Sequence, residues 1–514
     1  MTATPSTLFS LAQAPADLPV LVVGAGIMGA GIAQVAAQAG HPVMLFDVRD
    51  GAANQARDQL AATFDTLVAK QKLTAEAAAQ TLARIQVVIT LDSAARAHLV
   101  LEAIVEKLEA KRSLFQQLET VVSADCVLAT NTSSISVTAI ANGLHHPQRL
   151  VGMHFFNPVP LMKLVEVVSG LQTAPTVADG IAELSRAWGK TPVHARSTPG
   201  FIVNRIARPY YAETLALLQE QAASPSVLDA CLRSVGFRMG PCELMDLIGH
   251  DTNFSVTSSV YEANFFDKRF VPSLVQAELV DGGLLGRKTG RGFYVYAPGA
   301  EKPGTVPDAP ALTGLPPFST LAVACTGPVA DALHQRLAAK VPELGRLPDA
   351  GWVGLQVDAA QLRLTDGRTA TELGSASAID TAVFDWPTLT GPIEVLAWAP
   401  SARASDAWQA QAPLWLQALG FNPQRLADAS GLVVARTLSM LVNEAADAVQ
   451  QGVCSPAGAD AAMKLGVNYP AGPFDWLARW GAPAVVQVLA ALDATYRGER
   501  YRTSPWLQQR AALV

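Results

Sequence analysis

PVLVVGAGIMGAGIAQVAAQAGHPVMLFDVRD, residues Pro19–Asp50, decides how the chain begins to fold. Pro19–Val23 is an apolar, β-branched run, suited to a strand buried on both faces. Gly24, Gly26 and Gly29 then spell GxGxxG, and Ile32–Ala39 has helical composition ended by Gly40. A second strand, Val43–Phe46, closes at Asp47. A lone GxGxxG can be a structural turn. Here strand, glycines, helix, second strand and terminal acid come together within about 30 residues, the context of a dinucleotide-binding unit. Gly24 makes the tight turn, Gly26 admits a pyrophosphate to the backbone, and Gly29 lets helix and strand pack closely. The helix N-terminus offers free N–H groups to the phosphates. Asp47 can accept from ribose hydroxyls and disfavours a 2′-phosphate by its charge, so the spacing favours NAD over NADP. Arg49 works the other way.

Further apolar runs, Val87–Thr90, Leu99–Ile104 and Cys126–Ser134, read as additional sheet strands. Ligands of open α/β sheets lie beyond the strand C-termini. That puts Glu106 and Lys107 after one strand and Asn131–Ser134 after another, near the cofactor.

GMHFFNPVPLMKLVEVVSG, residues 152–170, sets a different problem. Glu166 lies in a valine-rich strand and His154 among Met153, Phe155 and Phe156. Buried ionisable groups are costly unless paired. A single histidine in apolar surroundings is ordinarily a core residue. Pro158 and Pro160, however, impose extended or turning backbone, and a fold-back there brings His154 beside Glu166. The carboxylate would then fix the tautomer and stabilise the imidazolium. Histidine is the commonest general base, and a nicotinamide enzyme oxidising an alcohol needs one.

NTSS, HFFNPVPLMKLVEVV and TPGFIVNR, taken together, resemble the L-3-hydroxyacyl-CoA dehydrogenase family of β-oxidation, and the resemblance runs from about Pro19 to the C-terminus. It implies NAD as cofactor, an acyl-CoA substrate, His154 as catalytic base and Glu166 as its partner. Ser133 and Asn204 would hydrogen-bond the reacting oxygens. Gly24, Gly26, Gly29, Asp47, Glu106, Lys107 and Ser133 would form the cofactor site, with Glu106 and Lys107 on the nicotinamide side. Lys70 and Lys72 match a basic stretch that contacts coenzyme A phosphates, although the loop after them looks shorter than in the family.

The expected fold is an α/β Rossmann-type domain at 19–198 after a loose N-terminal tail, 1–18. An all-α C-terminal domain follows at 199–298, then a Pro/Gly-rich linker at 299–316. A reduced Rossmann-like domain at 317–424, without a GxGxxG loop, precedes a second all-α copy at 425–514. The second copy is legible as a repeat: GFIVNR from Gly200 corresponds to GLVVAR from Gly431, and Gly240-Pro241 to Gly472-Pro473. Ala435 replaces Asn204 and cannot hydrogen-bond a substrate. The first copy is therefore expected to be catalytic and the second architectural, filling from within the chain an interface that the family uses for dimerisation. A homo-oligomer remains open.

Stand-alone bacterial enzymes of this layout resemble the phenylacetate-catabolism dehydrogenases, which implies 3-hydroxyadipyl-CoA as substrate, with 3-hydroxybutyryl-CoA as the alternative. A non-catalytic, crystallin-like binding protein is the reading from another class, and a free hydroxy acid is a third. The absence of a basic block among 38 basic and 44 acidic side chains argues against nucleic acid. No apolar run reaches the ~18 residues of a membrane helix, and the N-terminus lacks the basic start of a signal peptide. Five scattered cysteines suit neither a disulfide framework nor a metal site, so a cytoplasmic oxidoreductase without metal is expected.

Overall fold

The structure is a computed structural model describing residues 18–375, 379–389 and 394–513. The expected N-terminal tail lies almost wholly outside them. The chain divides into two compact units, one running to Arg205 and including Gln451–Val467, the other formed by Ile206–Gln450 and Asn468–Val514.

An eight-stranded sheet forms the centre of the first unit: β1 (Val20–Val23), β2 (Val43–Phe46), β3 (Ile85–Val87), β4 (Leu99–Glu102), β5 (Val127–Thr130), β6 (Leu150–Phe155), β7 (Leu164–Ser169) and β8 (Thr191–Arg196). Their order is β3-β2-β1-β4-β5-β6-β7-β8, parallel throughout except where β6 meets β7. The central strands are buried from end to end, as doubly covered parallel strands must be. After β1 comes helix α1 (Ile27–Gln38), which starts five residues earlier than its composition suggests. The glycines before it explain this. Gly24 has φ +103°, and a Cβ there would lie 2.4 Å from Ala103 O. A Cβ on Gly29 would lie 1.8 Å from Gly24 O, so the helix can form against the strand only without one.

The strand expected at Val87–Thr90 is found at Ile85–Val87. Pairing with β2 sets its register, Val43 opposite Ile85 and Leu45 opposite Val87, and Ile89 projects into solvent at 88% exposure.

In the second unit, helices of the first copy surround α2 (Arg208–Gln219) and those of the second surround α3 (Val434–Gln450). Between them in sequence is a seven-stranded mixed sheet: β9 (Leu321–Ala324), β10 (Gly345–Leu347), β11 (Gly354–Val357), β12 (Ala360–Leu364), β13 (Thr381–Phe384), β14 (Glu394–Pro400) and β15 (Phe421–Arg425). Its last four strands repeat the directions of β5–β8: parallel, antiparallel, parallel. This is the expected reduced Rossmann-like layer. The helix Pro456–Gly466, here α4, is the exception to the repeat's tidy order, because it belongs to the first unit.

Candidate active site

His154 ends β6 and Glu166 sits in β7, and the two are direct partners across the antiparallel pair. Adjacent side chains on one face of such a pair are close enough to interact. His154 Nδ1 lies 2.6 Å from Glu166 Oε2, with both side chains buried. An ionised carboxylate only accepts, so in this pair Nδ1 is the donor and Nε2 is the ring nitrogen left facing away from the carboxylate. The other carboxylate oxygen, Oε1, accepts from Ile202 N at 3.1 Å and Val203 N at 2.9 Å, where the helix Val203–Ile206 begins. Glu166 thus has two duties: it orients the imidazole and it receives N–H groups that a helix start leaves unmet. Phe156 lies 4.6 Å from the imidazole, centroid to centroid, and Phe201 5.9 Å, which restricts the ring further.

Asn204 follows directly on that carboxylate-anchored turn, and its Nδ2 donates to Ser133 O at 3.4 Å. Ser133 belongs to the loop after β5. Glu106 Oε1 gathers that loop, accepting from Thr132 Oγ1 at 2.7 Å, Ser133 N at 2.9 Å, Ser133 Oγ at 3.3 Å and Ser134 Oγ at 3.1 Å. Four expected catalytic residues are therefore tied together through Glu106 and Glu166.

Lys107, expected on the nicotinamide side, is exposed at the start of the helix Leu108–Val121. The lysine that meets Glu106 is Lys111, one turn on, at 3.1 Å. Lys111 is itself buried and bonds Glu102 Oε1 at 2.6 Å. Burial opposes the charge on Glu106, but Lys111 and the donors of the loop outweigh it and hold the carboxyl below its usual range. Lys111 and Glu102 escaped the sequence reading, although Glu102 gives the same signal as Glu166: an acid in an otherwise apolar strand. Lys70 and Lys72 are exposed at the end of the helix Ala52–Ala69.

A cleft of about 690 Å³ opens beyond β1, β2 and β4, lined by Gly24, Gly26, Asp47, Ile104 and Leu114, among others. A Cβ on Gly26 would meet nothing within 4 Å, so this glycine borders open space rather than packing. Asp47 Oδ2 accepts from Ala25 N at 2.8 Å, and Oδ1 accepts from Arg49 N and Nε. Burial resists the charge, yet Arg49 and Ala25 bring the Asp47 carboxyl down to about 2. The cradle therefore presents free space at the glycines and, at the end of β2, an ionised Asp47 paired with Arg49, whose carboxylate oxygens can accept from ribose hydroxyls. Among the described residues, no cluster of His, Cys, Asp or Glu could hold a metal ion, and no helix is long and apolar enough to cross a membrane.

In the second half, VFDWP (383–387) aligns with HFFNP (154–158) on the shared Phe and Pro, with Val383 at the place of the histidine. Asp385 accepts from Val433 N, Val434 N and Ala435 N, the counterparts of the turn that Glu166 holds. The turn is still held by a carboxylate, but from the place of Phe156; Ala399 stands opposite Val383 where Glu166 stands opposite His154, and imidazole and asparagine are gone.

A dinucleotide cradle joined to a histidine–carboxylate pair defines a nicotinamide-dependent dehydrogenase. Comparison with known proteins narrows the class. The profile of the 3-hydroxyacyl-CoA dehydrogenase NAD-binding domain matches residues 19–198, and that of the C-terminal domain matches twice, at 200–296 and 431–513. A 3-hydroxybutyryl-CoA dehydrogenase reduced Rossmann-fold domain matches 362–429. The chain belongs to the 3-hydroxyacyl-CoA dehydrogenase family and is an NAD-dependent enzyme of that kind. It is 44% identical to 3-hydroxyadipyl-CoA dehydrogenase of Escherichia coli K12 over 96% of this chain and 97% of the relative. A crystal structure titled 3-hydroxybutyryl-CoA dehydrogenase, from E. coli K12, matches with TM-score 0.86 and 42% identity over 97% of this chain and 98% of that one. A probable 3-hydroxybutyryl-CoA dehydrogenase of Deinococcus radiodurans is 40% identical, and 99% of it fits on only 54% of this chain.

Proposed function

We propose that this enzyme oxidises 3-hydroxyadipyl-CoA to its 3-keto thioester, with His154 as general base. The observation that carries the chemistry is the 2.6 Å His154–Glu166 pair, whose geometry directs Nε2 away from the carboxylate. NAD, when bound along the β1–α1 cradle by Gly24, Gly26, Gly29 and Asp47, supplies the hydride acceptor. Nε2 takes the proton of the 3-hydroxyl and returns it in the reductive direction. Ser133 and Asn204 orient the substrate oxygens and share the charge that develops on them. Glu106 sets Ser133, Lys111 sets Glu106, and the exposed Lys107 is assigned to the nicotinamide side of the cofactor. Lys70 and Lys72, exposed and basic, are assigned to the coenzyme A phosphates. The substrate reading rests on the full-length likeness to the E. coli 3-hydroxyadipyl-CoA enzyme. The likeness to the E. coli 3-hydroxybutyryl-CoA dehydrogenase structure supports 3-hydroxybutyryl-CoA as the alternative. The scattered, unpaired cysteines support a cytosolic place for the enzyme.

The test compares NADH formation from 3-hydroxyadipyl-CoA, 3-hydroxybutyryl-CoA and a free 3-hydroxy acid. The adipyl thioester should give the highest kcat/KM, and His154→Ala should lower kcat by about 10²–10⁴-fold. A preference for butyryl would keep the mechanism and change the substrate. Silence on both thioesters would overturn the reading.

A further inference from the structure

Residues 451–467 belong by sequence to the second helical copy, yet they complete the unit that carries the catalytic pair. Arg205 Nη1 donates to Gln451 Oε1 at 2.7 Å, and Arg196 N donates to Val453 O at 2.9 Å, which fastens this segment to the end of β8. From there α4 runs along β7 and β8. Burial, with the Glu166 charge adding to it, pushes the Cys454 thiol up to about 12.

The far end of α4 makes the closest approach. A Cβ on Gly466 would lie 2.6 Å from Leu164 Cδ2, 3.1 Å from Val203 Cγ2 and 3.7 Å from Phe156 Cε1. Each of these residues reaches the catalytic pair by one step. Leu164 opens the strand that bears Glu166. Val203 N donates to Glu166. Phe156 packs on the imidazole of His154. Gly466 has ordinary helical backbone, so it is absent side-chain volume and not conformational freedom that this position requires.

We infer that Gly466 is a positioning residue for His154 and Glu166, supplied by the second helical copy, the one in which Ala435 replaces Asn204. This rests on the reading of His154 as the base. A methyl at this position presses on Leu164 and Val203, while Phe156 at 3.7 Å stays in ordinary contact; the pressure reaches the pair through the strand that bears Glu166 and through the Val203 N–H that Glu166 accepts. Misplacement of a catalytic group by about 1 Å can cost up to ~10²-fold in rate.

Gly466→Ala in the full chain tests this, with Gly314→Ala as control. A Cβ at Gly314 would meet nothing within 4 Å, and its backbone does not have the positive φ that would strain an alanine. Gly466→Ala should lower kcat by about ten- to a hundredfold with KM for NAD unchanged, while Gly314→Ala keeps kcat. Adding Leu164→Val to Gly466→Ala removes the tightest contact and should restore most of the lost kcat. A kcat within about twofold of the parent, or a loss that Leu164→Val does not relieve, overturns the inference. If Gly466→Ala is not recovered folded, Leu164→Ala loosens the same wall from the strand side; kcat should again fall with KM for NAD held, and an unchanged kcat overturns the inference. A parent enzyme silent on both thioesters would instead refute the functional reading.

Discussion

Lys111 shows what a single side chain can hold. It sits between Glu102, which is fully buried, and Glu106, which organises the Ser133 loop. Removing one partner of a buried ion pair leaves a charge without compensation, at about 3–5 kcal/mol. Lys111→Met should therefore lower stability by that amount in urea unfolding, and it should also reduce turnover by loosening Glu106. A midpoint unchanged from the parent would show that Glu102 finds its compensation elsewhere. The sequence leads to Lys107 because, with Glu106, it follows the apolar run Leu99–Ile104, and because the family resemblance puts both on the nicotinamide side. The choice between two lysines four apart depends on which one the helix Leu108–Val121 turns inward, and no local pattern reveals that. His154 and Glu166 were legible for the opposite reason: ionisable residues stood out against uniformly apolar neighbours, and prolines announced the return of the chain.

At the level of elements, the GxGxxG unit was readable because each glycine answers a separate steric demand. Gly29 is the most stringent, since a Cβ there collides with backbone, not with a movable side chain. Gly29→Ala should push α1 off β1 and weaken NAD binding by at least about tenfold, an overpacking cost of roughly 1–3 kcal/mol. Titration followed by NADH fluorescence measures it directly. The edge strand was misplaced by two residues because Val87–Ile89 is apolar whether or not a partner strand accompanies it. Register on an edge is set by the neighbour's length, and β2 ends at Phe46. The seven-stranded sheet was legible only in outline, as a domain without a GxGxxG loop, because most of its strands are only three to five residues long.

Across the whole molecule, the repeat was visible in sequence, but the repeated arginines proved to have different employment. Arg205 reaches Gln451 in the first unit. Arg436, fully buried in the second, bonds Glu213 at 2.8 Å, Glu220 at 3.1 Å and the hydroxyls of Tyr496 and Tyr501. It thereby joins α3 of one copy to α2 of the other within that unit. Arg436→Met should leave Glu213 with only Arg500 as a charged partner beside the Tyr501 hydroxyl, and destabilise by about 3–5 kcal/mol. Calorimetry should show the loss in the transition of the helical unit, and an unaltered transition would mean that Arg500 suffices.

The interleaving of the two units also sets an order in time. Arg205 leaves the ribosome some 245 residues before Gln451. At roughly 5–20 residues per second, that is about 12–50 seconds of synthesis. Throughout that interval the nascent NAD-binding half exposes the flank of β7 and β8 that α4 later covers. The catalytic half of this enzyme is begun first and finished nearly last.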